Sequence, residues 1–418
     1  MLKIVYPVCC GIDVHKKFVV ATVGTTNKSG VTEYQTKQFP TFTEDLYRLL
    51  DWLKSQSCLH VCMESTGKYW HPVFNILEQD CDIVIANPKY VKGIRGKKTD
   101  KKDSIWLCDL HKHGLVPSSF IPPLFIRQIR DLMRYRFKLI NFKSSEKNRI
   151  QNSLTVSNIM ISSVVSDTFG VSSMRIIQHI LENPNDTDFD VTSMLHGSMK
   201  DKAGTIEKSI YGNLTKPQAD KMRVCLDHMD SIEKHIADIE SVVLDLVQPC
   251  LRQIEIILSL PSIKDIFTAI AILGEIGIDM SVFLSHKRLC SWAGLTPQNN
   301  ESAGKKKSVR VSRAGVYIKP LLVQCANASI KSKKCSYFKI RYDQIKKRRG
   351  HKKAIIAIAH KLLTCIYHML DKNEPYNSDL YHMDSKPKLT YAPQITEEMA
   401  IRYLETLGYQ IPDMRINT

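Results

Sequence analysis

The chain has 418 residues, 43% of them hydrophobic and 24% charged, and its 59 Lys and Arg against 42 Asp and Glu give a formal net charge of +17. That length exceeds the roughly 100 to 200 residues of one domain, so two or three domains with separate cores are expected, and the composition excludes a fibrous or fully disordered chain. The N-terminus MLKIVYPVCCGID lacks a basic segment followed by a long apolar one, and no stretch approaches the roughly 18 unbroken apolar residues of a membrane span, which points to a cytoplasmic protein with no membrane partner.

In chain order, VCCGIDVHKKFVVATVG reads as a strand, a polar turn and a second strand, and VTEYQTKQF as a third through its alternation. Thr41 and Glu44 have the T-x-x-E spacing of a capping box, and Leu46, Leu49, Leu50 and Leu53 form an apolar stripe behind them, which predicts a helix. CLHVCMES is a buried strand, YWHPVFNILEQ a helix and DIVIANP another buried strand. Three strands followed by alternating helices and strands predict a mixed sheet covered by helices, the RNase H-like architecture, although spacing alone permits other α/β folds.

From Lys97 the run KKTDKKDSIWLCDLHKH is helical, with Pro117, Pro122 and Pro123 marking its end, and residues 125–154 form a long basic helix. Residues 160–215 are less regular. A second long helix follows NLTKP, where Met222, Met229, Ile236 and Val243 fall seven apart, as do Cys225, Ile232, Ile239 and Leu246. Two such seams predict a coiled-coil arm that packs either on the 125–154 helix of the same chain or on another subunit. After Pro261 come a compact helical region, a polar basic loop to Val316, and helices to about Asp371. The expected division is an α/β domain over 1–120, a helical linker with coiled coil over 121–256, a mostly helical basic domain over 257–371 and an accessory tail over 372–418.

The 12 cysteines include no C-x-x-C pair and no matching His set, so they read as small reduced core residues. Charge is unevenly placed. Between Leu284 and Lys361, twenty lysines and arginines face only Glu301 and Asp343, a balance of +18, so one segment carries essentially all the excess. Such a concentration is the footprint of a polyanion-binding surface, because each phosphate contact releases counterions.

Four carboxylates stand out. Asp13 closes the first strand and Glu64 closes CLHVCMES, so neighbouring strands would bring them together, while Asp100 and Asp103, three apart on a helix, share a face. Each has an ordinary alternative, as a turn residue, a surface charge or an offset to nearby lysines. Together they suit magnesium or manganese, and two such ions can activate a hydroxyl and stabilise the leaving oxygen in phosphodiester cleavage. Lys97, Lys98, Lys101 and Lys102 would then hold phosphate beside the metals. The segment SWAGLTPQNNESAGKKKSVRVSR puts serines in a Gly- and Lys-rich loop, where a hydroxyl could attack a phosphodiester with Lys305, Lys306, Lys307 and Arg310 neutralising the transition state.

GIDVHKKFVVATV, MESTGKYWHPV, NPKYVKGIRGKKTDKKDS, LPSIKDIFTAIAILGEIG and AGLTPQNNESAGKKKS, in this order, resemble the DEDD-type insertion-sequence transposases. That family includes the pilin-gene DNA invertases, and some members are guided by a bridge RNA. The resemblance covers about residues 8 to 370. It implies a RuvC-like N-terminal domain whose metal-binding set is matched by Asp13, Glu64, Asp100 and Asp103, a coiled-coil connection, and a C-terminal transposase domain whose nucleophilic serine is matched by Ser302. It further implies a composite active site from two subunits, a homodimer or homotetramer, DNA and a bridge RNA as partners, and a bacterial or archaeal, nucleoid-associated setting. Two departures stand out. Ala303 separates Ser302 from Gly304, which leaves Ser308 as a reserve candidate, and Pro261-Ser262-Ile263-Lys264 resembles a helix-hairpin-helix turn without its glycines. The alternative function is a RuvC-like nuclease or junction resolvase that uses water and forms no covalent intermediate.

Overall fold

The computed structural model describes residues 2–381 except 66, 92–98, 185, 187–188, 299, 303–304, 309 and 333–335, and the chain divides into two units, Met1–Ile121 and Pro122–Thr418.

In the first unit, β1 (Val8–Val14) and β2 (Phe18–Thr26) pair antiparallel, and β3 (Thr32–Pro40) adds antiparallel to β2. The short apolar runs of β4 (His60–Glu64) and β5 (Asp82–Ala86) extend the sheet in parallel on the other side of β1, giving the order β3-β2-β1-β4-β5. Parallel strands need cover on both faces. One face is covered by α1 (Thr43–Ser55) and α2 (Trp70–Leu77), which bury Leu46, Leu49, Leu53, Val73 and Leu77 with Ile12, Val14, Met63 and Ile85. The short α3 (Pro88–Val91) follows β5, and α4 (Asp100–Lys112) packs against β1, β2 and β4. This helix-covered mixed sheet is the RNase H-like arrangement expected from the sequence.

Two local expectations change. The helix α1 starts at Thr43 behind Phe42 with no side-chain cap, and the Thr41 hydroxyl donates to the carbonyl of Lys16. The helix α4 stops at Lys112, ahead of the prolines, where Gly114 takes a left-handed φ of 64° and its N–H bonds back to the His111 carbonyl.

Near that end His111 is buried, its ring stacked on Tyr6 at 4.7 Å, and its Nε2 has no hydrogen-bond partner. Burial pushes its pKa down to about 4, and the neighbouring His60 adds to the effect. Between pH 6.5 and about 4 the unfolded chain therefore takes up a proton that folded His111 refuses, so its contribution to stability is intact above pH 6.5, falls as pH drops through that window and is level below it. Melting curves from pH 7 to 4 should show a loss of up to about 3 kcal/mol that His111→Phe removes; an acid limb of the same size in that variant would contradict the assignment.

The second unit begins with α5 (Leu124–Val156) and is linked by a helical module to α9 (Lys216–Leu246). Arg136 pairs with Glu240, Lys143 with Glu233, and Glu146 with His228, so numbers rise along α5 as they fall along α9 and the helices are antiparallel. Both heptad seams of α9 are buried or half-buried, and α5 of the same chain is the helix they pack on. The stretch expected to be irregular is organised. It forms α6 (Val171–Glu182), α7 (Val191–Met194) and α8 (Ala203–Ile210) around a core that includes Leu154, Ile176, Ile180, Leu195, Ile206 and Met222.

The chain then enters α10 (Leu251–Leu258), α11 (Ile266–Ile276) and α12 (His286–Trp292), a hairpin of β6 (Asn300–Ser302) and β7 (Lys305–Ser308), and α13 (Ile318–Ser329), α14 (Ser336–Arg349) and α15 (His351–Lys372). Arg134 grips Glu275 of α11 through two bonds of 2.6 and 2.9 Å, and Arg130 donates to the Gly274 and Glu275 carbonyls, which fastens α11 to α5. By length and composition α15 could cross a membrane; 61% of its apolar window is buried, and α10, α12, α13 and α14 pack against it, as expected of a core helix.

Candidate active site

Along β1, Cys10, Ile12 and Val14 enter the α1–α2 core, so the alternation of a strand turns Cys9, Gly11 and Asp13 to the opposite face, where α4 lies. The contact there is unusually close. A Cβ on Gly11 would stand 2.2 Å from the Ser104 carbonyl oxygen and 2.4 Å from the Cys108 amide nitrogen, so only glycine admits the α4 backbone at this distance. Small residues complete the seat: the Thr22 and Ser104 hydroxyls are 2.7 Å apart, and the Cys9 and Cys108 thiols 3.7 Å apart, all buried.

Asp100, Ser104 and Cys108 repeat every four residues, so the stripe that docks on β1 carries Asp100 at its first turn. Thr99 caps the helix by accepting from the Lys102 amide, and acids in the first turn, here Asp100 and Asp103, are favoured by the helix dipole. The result brings Asp100 to the end of β1. His15 Nε2 lies 3.2 Å from Asp13 Oδ2 and 3.4 Å from Asp100 Oδ1. One donor atom from each of Asp13, His15 and Asp100 falls within 4.8 Å of the others, and this is the metal-type cluster found among the described residues. Burial pushes the Asp13 carboxyl above its usual range, His15 pulls it back, and Asp100 and Asp103 push it further up. Like charges gathered in this way disfavour one another and favour a cation between them.

Glu64 ends β4, the parallel neighbour of β1, with Met63 in register with Ile12, so it emerges at the same sheet edge as Asp13. Asp103 is half-buried in the first turn of α4 and is close enough to act on Asp13 electrostatically. Neither belongs to the three-residue cluster. Lys101 and Lys102 are exposed beside Asp100, whereas Lys97 and Lys98 lie outside the described residues. The residue missed from sequence is His15. Its signal is the D-V-H spacing, since residues two apart along an extended chain face the same side. The cysteines stay out of the site: the eleven described are free, all but Cys81 are buried, and burial pushes the Cys62 thiol up to about 12, which suits inert core residues.

The serine segment belongs to the second unit. It was expected to be a loop but is a β-hairpin, in which Ser302 pairs with Lys305 and Glu301 with Lys306, while Ser308 pairs with Asn300 at the other end. Arg310, just beyond it, is exposed. The hairpin is rooted by two glycines with positive φ. A Cβ on Gly294 would meet the Ala314 carbonyl oxygen at 2.5 Å, and one on Gly315 would meet the Ala293 carbonyl oxygen at 2.2 Å. A further bridge between Pro297 and Val311 continues the pairing towards Ser302. At the start of α11, Asp265 takes the Phe267 and Thr268 amides as an N-cap, so the amides that a helix-hairpin-helix would offer to phosphate are already bonded to a carboxylate.

Residues 10–159, which take in nearly all of the sheet, α4 and the whole of α5, match a family model described as a transposase of the DEDD IS110 type. Residues 254–343, which include the Ser302 hairpin, match the model described as the transposase IS116/IS110/IS902 family. No curated protein matches the chain. The two matches together span more than half of the chain, which carries both domains of an IS110-family DNA transposase.

Proposed function

We propose that this enzyme cuts and rejoins DNA for an insertion element through a DEDD metal site formed by Asp13, Glu64, Asp100 and Asp103, with Ser302 as the nucleophile. The observation that carries the reading is the convergence of Asp13, His15 and Asp100 at the end of β1. Carboxylate oxygens at this spacing fit a hard divalent cation such as Mg2+ or Mn2+, and in this reading Glu64, at the end of the strand beside β1, and Asp103, in the first turn of α4, complete its surroundings. When bound, such an ion supplies Lewis-acid stabilisation of charge on a phosphoryl oxygen.

In this reading Asp13 and Asp100 would bind and orient the ion, and His15, whose Nε2 is hydrogen-bonded to Asp13 and lies 3.4 Å from Asp100 Oδ1, positions the two carboxylates. Lys101 and Lys102, with Lys97 and Lys98 preceding them in sequence, engage phosphate beside the acids. The Ser302 hydroxyl forms a bond to phosphorus as a DNA oxygen leaves, and net the serine proton ends on that oxygen, so the phosphoserine ester keeps the bond energy for rejoining. Lys305, Lys306, Lys307 and Arg310 neutralise the negative charge that grows on the phosphoryl oxygens. In this reading Ser302 is preferred to Ser308 because it pairs with Lys305 across the hairpin. The α5–α9 arm serves as the linker between the metal-binding domain and the serine domain from residue 257 onward. A homodimer or homotetramer, and a bridge RNA that selects the DNA by base pairing, complete the proposal.

The acidic cluster lies entirely within the first unit, which favours one competing reading, a RuvC-like nuclease that uses water. Incubation of the protein with its element-encoded RNA, element DNA and Mg2+ separates the two. The serine mechanism predicts a protease-sensitive protein–DNA adduct that is absent in Ser302→Ala. An undiminished adduct in that variant removes Ser302 from the reaction, and nicking without adduct that survives Ser302→Ala supports the nuclease.

A further inference from the structure

The end of α14 and the start of α15 carry Lys346, Lys347, Arg348, Arg349, Lys352 and Lys353, all exposed, on either side of Gly350, whose φ is 78°. Among the described residues none of these six is ion-paired, and the one acid nearby in sequence, Asp343, is held by Lys339. Lys352 and Lys353 sit in the first turn of α15, where cations oppose the helix dipole. That helix also begins behind Gly350 with no side-chain cap, so its free amides add to the positive end. A surface kept for solubility mixes signs; this corner places every positive feature together and is electrostatically unfavourable until an anion lies against it.

The platform is rigid. Tyr342 is buried and its hydroxyl lies 2.8 Å from Nδ1 of His351 on α15, while Phe338 and Ala354 are fully buried beneath it. No Phe, Tyr or Trp stands among residues 346–353 for bases to stack on, which single-stranded nucleic acid would use. The matched family stretch ends at residue 343, so the whole cluster lies beyond it.

From this geometry we infer that the α14–α15 corner is a sequence-independent clamp for the phosphate backbone of double-stranded DNA, separate from the acidic cluster. The inference rests on the reading of the chain as a DNA recombinase and adds to it a second contact, one that holds the duplex by charge alone. Cations fixed at the turn between two packed helices lose little conformational freedom on binding, and each phosphate they neutralise releases counterions.

The test uses the full chain carrying Lys346→Gln, Lys347→Gln, Arg348→Gln and Arg349→Gln together, with fluorescence anisotropy on two unrelated DNA duplexes and on a duplex RNA of the same length, in EDTA, across about 50 to 300 mM salt. Loss of two to three phosphate contacts is expected to reduce the log–log salt slope by about 2 to 3 and to weaken binding roughly 10- to 100-fold at low salt, equally on both DNA sequences. An unchanged slope, a loss on one sequence only, or a loss confined to RNA overturns the assignment. A thermal melt that matches the wild-type chain keeps misfolding out of the comparison, and Lys346→Arg with Lys347→Arg, which preserves charge, should retain the slope. Because the binding readout contains no metal and no cleavage step, an unchanged slope would remove the clamp and leave the metal and serine chemistry standing, whereas a missing adduct would do the reverse.

Discussion

Gly11→Ala is expected to lower the unfolding free energy by about 3 kcal/mol and to abolish DNA cleavage, a large effect for the addition of one methyl group. The obstructing atoms are the Ser104 carbonyl oxygen and the Cys108 amide nitrogen, at 2.2 and 2.4 Å, and helix backbone cannot step aside as a side chain can. Either α4 lifts from β1 or β1 bends, and in both cases Asp100 leaves the 3.4 Å contact through which His15 links it to Asp13. Gly24→Ala provides the contrast. Its Cβ would meet the Cys108 Sγ at 2.8 Å, a side-chain atom, so a smaller loss is expected, and Cys108→Ala should relieve part of it. Thermal melts and cleavage assays on the three variants check this ordering. A fully stable, active Gly11→Ala protein would show that α4 does not sit on β1 as described.

Asp13→Asn should reduce strand cleavage by about 10³-fold or more, since an ion that stabilises the transition state by several kcal/mol is lost with its central ligand. The same change should leave the metal-free fold at least as stable as the wild type, because it removes one of the like charges that Asp13, Asp100 and Asp103 force together. That opposition of signs separates a ligand from a structural acid, whose loss would lower stability and leave the chemistry alone. Cleavage and melting in EDTA, measured on the same preparation, decide between them.

Much of the first unit was legible because its strands obey simple periods. VCCGIDV and FVVATVGTT alternate or run apolar as sheet burial requires, and Asp13 and Glu64 could be placed at strand ends from the point where the apolar run stops. The close seat of α4 was not legible, because Gly11 and Ser104 are informative only once β1 and α4 are in contact, a pairing more than ninety residues apart in sequence. His15 was passed over because the chain leaves the strand at Val14, yet the extended spacing still carries it back to Asp13.

In the second unit the heptad seams of α9 marked a coiled coil but not its partner, since a seam specifies an apolar face and not the helix that covers it; the Arg136–Glu240 and Lys143–Glu233 rungs identify α5. The hairpin of Ser302 was hidden by its composition. KKKS has no alternation, and what shapes it is the crossing of Gly294 and Gly315 at its root, which local pattern does not reveal. The capping box at Thr41 failed for a similar reason, as the helix starts two residues later, behind Phe42, and Thr41 is tied by its hydroxyl to the distant Lys16 carbonyl.

In the proposed mechanism the acids at the end of β1 hold the ion that drives DNA cleavage. Mn2+ binding followed by electron paramagnetic resonance, on the wild-type chain and on Asp13→Asn and Asp100→Asn, tests it most directly. Saturable binding to the wild-type protein is expected, and both substitutions should abolish it or weaken it by at least about tenfold. Equal Mn2+ binding in all three proteins would contradict it.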